Sequence, residues 1–202
     1  MLGIVIDGLC KAGNTQTAIE FLRAMEKRGS PCKPTAIIYS TIIDSLCKDK
    51  MVDEGLALLQ EMIEKNILPN VVPYSCLIQG LCNLSRWKDV DNLYAEMKVY
   101  KIVPNVFTFN IVVDALCKEG HIEDAEEVAQ IMIQLGQNPN LVMYNSLMDG
   151  YGILINAYYT TKNVEAAMKL FQEIPQKGLT PNIVICSTVL QGLFSSGRYL
   201  SA

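Results

Sequence analysis

Seven cysteines, one histidine and a scatter of carboxylates are the residues of this chain that bear on covalent or metal chemistry. Cys10, Cys47, Cys82 and Cys117 fall at apolar helical positions, where a free cysteine behaves as a small core residue. No Cys-x-x-Cys and no Cys/His pair at zinc spacing is present, so no metal site is expected. Cys32, Cys76 and Cys186 have no assignment of this kind. Reduced thiols suit an intracellular or organellar compartment. His121 sits at a predicted turn, and no serine or cysteine has a recognisable base partner. Glu123, Asp124, Glu126 and Glu127 read as a solvated helix face. The chain is therefore expected to be no enzyme and to need no cofactor. What recurs instead is short and polar. Ser40, Ser75, Asn110 and Asn145 lie near predicted helix starts, where serine and asparagine are favoured caps. Asn70, Asn105 and Asn140 follow prolines and read as turn residues.

These residues are set by an internal repeat. Cys47, Cys82 and Cys117 are 35 residues apart, as are Pro34, Pro69, Pro104 and Pro139, and Met62, Met97 and Met132. Three unrelated residue types on one period place the chain among repeat architectures. Two irregularities mark insertions. Cys10 to Pro34 is 24 residues, where the later units have 22, which puts two extra residues near Ser30-Pro31. Pro139 to Pro181 is 42 residues, seven more than the period, and Tyr159 then occupies the cysteine slot. The extra seven lie between Asn140 and Tyr159. Seven residues is nearly two helical turns, so the first helix of that unit is expected to lengthen by ~10 Å. A kink at Gly150 or Gly152 is the competing outcome.

Each unit reads as two helices. Tyr39, Ile42, Ile43, Leu46 and Cys47 form one apolar stripe. Val52, Leu56, Leu58, Leu59, Met62 and Ile63 form a second over residues 52–65, and Pro69 prevents its continuation. Gly13 and Gly120 supply left-handed helix stops in the mid-unit turns. Ala18, Gly55, Ala125 and Ala167, with Val90 as the larger exception, stand where second helices cross their neighbours. Such hairpins bury both apolar faces only by stacking. The expected fold is all-α: an α-solenoid superhelix of two-helix repeats covering residues 1–35 (partial), 36–70, 71–105, 106–140, 141–182 (with the insertion) and 183–202 (partial).

Composition agrees. The 202 residues are 50% hydrophobic and 19% charged, with a net charge of -4, which argues against disorder and against a binder driven by bulk positive charge. No apolar run reaches the ~18 residues of a membrane span. The first residues lack the features of a secretory signal.

The wording of the units, Val71-Val72-Pro73-Tyr74-Ser75, Val106-Phe107-Thr108-Phe109-Asn110, Gly8-Leu9-Cys10-Lys11-Ala12-Gly13 and Gly178-Leu179-Thr180-Pro181-Asn182, resembles the pentatricopeptide repeat. It is similar to the P-type, plant restorer-of-fertility-like branch. The tetratricopeptide repeat has a period of 34 residues and a Trp-Leu-Gly-Tyr signature, whereas here Trp87 is the single tryptophan. The resemblance implies recognition of single-stranded RNA at about one base per repeat. It implies base reading by the pairs Ser40 with Asn70, Ser75 with Asn105, Asn110 with Asn140, and Asn145 with Asn182, although the insertion brings Gly152 into the slot counted back from Asn182. Ile37, Val72, Phe107 and Val142, with Val184 extending the row, would sandwich the bases. Lys11, Lys48 and Lys118 would meet phosphates; Asn83 and Thr160 break that row. The preferences of such pairs imply a core of A-A-C. The implied setting is a mitochondrion, or alternatively a chloroplast, and the implied role is RNA processing or fertility restoration. Two other readings stand beside this one: a solenoid gripping a protein partner, and a truncated paralogue without useful RNA affinity. Unpaired solenoid ends would also permit homo-association.

Overall fold

The computed structural model describes residues 2–27 and 33–196. The expected insertion near Ser30-Pro31, Cys32 and the last six residues of the final repeat lie outside the described residues. Eleven helices and no strand are found among those described. The chain forms two compact units, Met1–Thr108 and Phe109–Ala202. The first holds α1 (Leu2–Lys11), α2 (Thr15–Glu26), α3 (Ala36–Lys48), α4 (Val52–Glu64), α5 (Val71–Cys82), α6 (Trp87–Val99) and the start of α7 (Val106–Glu119). The second holds the rest of α7, then α8 (Ile122–Gln134), α9 (Leu141–Thr160), α10 (Val164–Gln176) and α11 (Ile183–Ser195).

Within the first unit α3 packs on its hairpin partner α4 and on α1 and α5 of the adjacent hairpins. Tyr39, Ile42, Ile43 and Leu46 are fully or almost fully buried there, as are Val52, Leu59 and Met62 on α4. Leu56 and Ile63, at the stripe's margins, are half-buried. Each fully buried side chain of this size contributes ~1.5–3 kcal/mol, so the stacked face, not the single hairpin, holds the fold together. In the second unit α9 packs on α8, α10 and α11 in the same way. The small crossing residues Ala18, Gly55, Ala125 and Ala167 are buried, and Val90 with them. A Cβ on Gly55 would lie 3.0 Å from Leu77 Cδ2, which shows how closely α4 and α5 approach.

The mid-unit turns share one construction. A residue one to three positions beyond the helix takes a positive φ, at Gly13, Lys50, Ser85, Gly120 and Lys162. The next amide bonds back across the turn: Asn14 N to Leu9 O, Met51 N to Leu46 O, Arg86 N to Leu81 O, His121 N to Leu116 O and Asn163 N to Tyr158 O. This is the six-to-one closure that satisfies the orphan carbonyls of a helix end. Lys50, Ser85 and Lys162 accept a conformation that costs a residue with a Cβ ~1–2 kcal/mol, because the closing bonds and the buried stripes over-determine it.

The seven-residue insertion is absorbed as helix. α9 runs unbroken for 20 residues, against 13 for α3 and 12 for α5. The extra length stays helical because seven residues nearly complete two turns, which keeps Met143, Leu147, Tyr151 and Ile155 on one buried face. Neither Gly150 nor Gly152 interrupts it.

Candidate functional site

The helices α3, α5, α7, α9 and α11 start with the same arrangement. The residue before the helix is Thr35, Asn70, Asn105, Asn140 and Asn182 in turn. Two residues on comes an exposed apolar side chain, and three beyond that a small polar one. The apolar row is open to solvent: Ile37 is 76% exposed, Val72 48%, Phe107 61%, Val142 56% and Val184 60%. Single exposed apolar residues need no explanation, but five at one register in a repeat do.

The asparagines cap the helices. Asn70 Oδ1 accepts from Val72 N at 2.9 Å, Asn105 Oδ1 from Thr108 N at 3.0 Å, Asn140 Oδ1 from Met143 N at 3.1 Å and Asn182 Oδ1 from Ile185 N at 2.9 Å. They are N-caps rather than only turn residues. Capping consumes the carbonyl side of the amide and leaves its NH2 group facing outward at a fixed angle. Ser40, Ser75, Asn110 and Asn145, by contrast, are not caps: each is the fifth residue of its helix. Ser40 donates its hydroxyl to Ala36 O at 2.8 Å and is buried. Ser75 reaches Val71 O at 2.9 Å and lies 2.7 Å from Thr108 Oγ1. Burial forces this: a serine inside a packed helix bonds the carbonyl four residues back for want of water.

The structure brings three of the four implied pairs together. Asn110 Nδ2 donates to Asn140 Oδ1 at 3.2 Å, which leaves Asn110 Oδ1 buried without a hydrogen-bond partner. Ser75 and Asn105 are bridged by Thr108, whose hydroxyl donates to Asn105 Oδ1 at 3.0 Å. Asn145 and Asn182 line one cleft of about 300 Å³. No direct bond joins Ser40 to Asn70. Thr108 is the member that sequence reasoning missed; its slot holds Ile38 and Pro73 in the earlier repeats, so no recurrence pointed to it.

α9 meets its two neighbours in different registers. Upstream, a Cβ on Gly150 would lie 2.8 Å from Cys117 Cβ, as one on Gly80 would lie 3.1 Å from Cys47 Cβ. Gly150 follows Gly80 by two periods, so this contact keeps the upstream register. Downstream, a Cβ on Gly192 would strike the Tyr159 ring. Here Tyr159 stands in the cysteine slot, seven residues later than the upstream register would put it. The tyrosine that anchors the helix shifts likewise: Tyr144 is exposed, while Tyr151 is fully buried.

The lysines implied to meet phosphates are not bare cations. Lys11 pairs with Asp7 at 2.7 Å, Lys48 with Asp44 at 2.5 Å and Lys118 with Asp114 at 2.5 Å, each one turn apart on its helix. The Asp-to-Lys spacing of four was legible in the sequence and is the signal for these pairs. The acidic face of α8 is only partly solvated. Glu126 accepts from the Tyr151 hydroxyl and from Lys177 Nζ, the latter at 2.6 Å, and Lys177 Nζ lies 5.6 Å from the centre of the Tyr151 ring.

Burial pushes the Cys47, Cys76 and Cys117 thiols up to about 12. They stay protonated at neutral pH and are poor nucleophiles. His121 precedes α8 with Nδ1 3.6 Å from Asp124. Among the described residues no three His, Cys, Asp or Glu side chains converge as a metal site. No helix among them is long and apolar enough to cross a membrane.

A model of the PPR repeat family matches residues 34–83, 69–118, 104–152 and 150–195, and a second model, the PPR repeat, matches residues 2–26. A mitochondrial pentatricopeptide repeat-containing protein of Arabidopsis thaliana is 38% identical over 63 residues, which is 31% of this chain and 15% of that protein. The fold matches PPR10 from maize with a TM-score of 0.71 at 24% identity, over 99% of this chain and 32% of that one. It matches PPR10 in complex with an 18-nt psaJ RNA element with a TM-score of 0.64 at 20% identity, over 99% of this chain and 28% of that one. The PPR domain of Arabidopsis thaliana protein-only RNase P 1 in complex with tRNA matches with a TM-score of 0.63 at 14% identity, over 94% of this chain and 95% of that one. The chain thus spans about a third or less of the PPR10 chains and of the Arabidopsis relative. With the 35-residue period, the stacked helix pairs and family matches that run along nearly the whole sequence, the chain belongs to the pentatricopeptide repeat (PPR) family.

Proposed function

We propose that this chain is a single-stranded RNA-binding module that reads about one base per repeat, with A-A-C as the core met by the pairs Ser40/Asn70, Ser75/Asn105 and Asn110/Asn140. The observation that carries the reading is the recurrence, at the starts of α3, α5, α7, α9 and α11, of an exposed apolar side chain between a capping or turn residue and a small polar residue. An aromatic or branched aliphatic face contacts any base, and the polar pair discriminates among them.

Hydrogen-bond polarity supports the choice of base. The Ser40 hydroxyl gives its proton to Ala36 O, so towards a ligand it is an acceptor. The Asn70 carbonyl is occupied by Val72 N, so its amide is a donor. In the Asn110/Asn140 pair the Asn140 NH2 is the donor, and Asn110 Oδ1, buried and unpartnered, becomes the acceptor when that side chain turns towards a base. An acceptor beside a donor complements the Watson–Crick edges of adenine and cytosine, which offer an amino group beside a ring nitrogen. Uracil presents the opposite pattern. Discrimination of this kind is worth ~1–3 kcal/mol per base by analogy with DNA readout.

The RNA complexes of PPR10 and of the RNase P domain support RNA as the ligand class. The likeness to a mitochondrial relative supports that compartment, and organellar RNA processing, including fertility restoration, is the role we assign. A protein partner is the second reading, favoured by the net charge of -4 and by the aspartate beside each phosphate-row lysine. Fluorescence anisotropy separates the two. Labelled A-A-C RNA flanked by uracils is compared with a scrambled core and with the deoxyribose form, at two salt concentrations. A preference for the A-A-C ribose probe is expected. Equal binding to all probes, or none at micromolar protein with helical circular dichroism intact, overturns the reading.

A further inference from the structure

We propose that the hairpin built on α9 holds two nucleotides where each other hairpin holds one. The added site lies between Gly152 and Asn182 and takes a base with an exocyclic amino group. The inference rests on the RNA-binding reading and concerns the element in which this chain departs furthest from its own period.

The register change of α9 duplicates the reading slot. Counted from the upstream neighbour the slot is Asn145; counted from the downstream neighbour it is Gly152. Seven residues of helix rotate through about 20° less than two full turns and advance ~10 Å, so both slots face the same side at a separation no single planar base spans. The structure has a cleft at each. One, of about 300 Å³, is lined by Asn145, Tyr144, Thr180 and Asn182. The other, of about 320 Å³, is lined by Asp149, Gly152, Asn156, Asn182 and Val184. Both are near the ~300 Å³ lower end for small-ligand pockets, a size for one base each. Asn182 lines both, its carbonyl held by Ile185 N and its NH2 group unbonded among the described residues.

The second cleft differs from the first in chemistry. Gly152 leaves its floor open: a Cβ there would meet only Ile185 Cγ1, at 3.8 Å. Asp149 occupies the slot of Asp44 and Asp114, but the lysine that follows those by four residues is here Ile153. Its exposed carboxylate has no such cation beside it and is acceptor-only. It disfavours a phosphate and, beside the Asn182 NH2 donor in the same cleft, completes an acceptor–donor pair that complements adenine or cytosine over uracil. Val184, 60% exposed at the rim, offers the apolar face.

The test uses the whole chain and RNAs of the form A-A-C-N-N, with 2-aminopurine at the first or second position after the core. Binding is expected to change its fluorescence at both positions. Gly152→Phe fills the second cleft and is expected to abolish the change at the second position alone. Asp149→Leu, an exposed substitution of the same branching that removes both acceptor oxygens, is expected to reduce an adenine-over-uracil preference of about five-fold at the second position to none. A signal at only one position in the wild type overturns the inference. So does a second-position signal and preference unmoved by Asp149→Leu. Absence of any A-A-C preference in the wild type overturns the parent reading together with it, whereas a retained A-A-C preference confines the failure to the added site.

Discussion

Asn140→Asp tests the base-reading assignment with little risk to the fold. Asn140 accepts two hydrogen bonds through Oδ1, from Met143 N at 3.1 Å and from Asn110 Nδ2 at 3.2 Å. An aspartate keeps both, since it has the same shape and only acceptors. It caps a helix about as well as asparagine, and its charge at the start of α9 adds ~0.3–1 kcal/mol of favourable interaction with the helix dipole. The melting temperature is therefore expected to hold or rise slightly. The one thing lost is the outward NH2 donor. Facing cytosine, the new carboxylate meets the N3 lone pair and is repelled; facing uracil, it accepts from N3–H. If one such pairing is worth ~1–3 kcal/mol, the cytosine-to-uracil affinity ratio moves by roughly 5- to 150-fold. Anisotropy titrations with A-A-C and A-A-U RNAs read this ratio, and circular dichroism melts check the fold. An unchanged base profile in a folded variant refutes the reasoning, because the donor would then have had no part in reading.

Asp114→Asn and Asp44→Asn release Lys118 and Lys48 from their intrahelical partners; RNA affinity is expected to rise, and the slope of log affinity against log salt to steepen by ~0.7 for each phosphate newly neutralised, as titration across salt concentrations will show. Gly150→Ala forces a Cβ into Ile122 Cδ1 and to 2.8 Å from Cys117 Cβ. Overpacking of this kind costs ~1–3 kcal/mol, offset in part by ~1 kcal/mol of helix propensity. Urea unfolding should show a net loss, of which adding Ile122→Val recovers only the part due to Ile122 Cδ1, because the contact with Cys117 Cβ remains. The hydrogen bond from Arg23, followed by that from Lys65, holds the Glu61 carboxyl at about 2 against burial, below its ordinary 4.5. A depressed carboxylate stabilises fully above its unfolded pKa and loses that contribution as pH falls through the folded one, so stability should decline between pH 5 and 2. Because Arg23 is nearly half exposed, Glu61→Gln should cost only ~1 kcal/mol at neutral pH, and the gap from wild type should close on acidification, as denaturation series at several pH values will reveal.

The period, the two-helix unit, the buried stripes and the helical absorption of the insertion were all legible in the residues, because each depends on local spacing. A helix repeats every 3.6 residues whatever surrounds it, so Tyr39, Ile42, Ile43 and Leu46 declare their face, and seven added residues return α9 nearly to phase. The five exposed apolar positions were legible only through the family resemblance. Tertiary structure decided what spacing leaves open. Ser40 and Ser75 look like caps by type, but stacking buries them a turn into the helix, where Ser40 donates to Ala36 O, Ser75 is shared between Val71 O and Thr108 Oγ1, and the asparagines do the capping. Glu126 looks solvated by its neighbours, yet Tyr151 and Lys177, distant in sequence, close over it. Which of two registers α9 presents is likewise no property of α9: its sequence supports both, and the neighbouring hairpins select one each, because Gly150 fits against Cys117 and Gly192 against Tyr159. Periodicity sets which residues share a face. Only the packed partners determine which protons are already given, which carbonyls are filled and so which groups remain to meet a ligand.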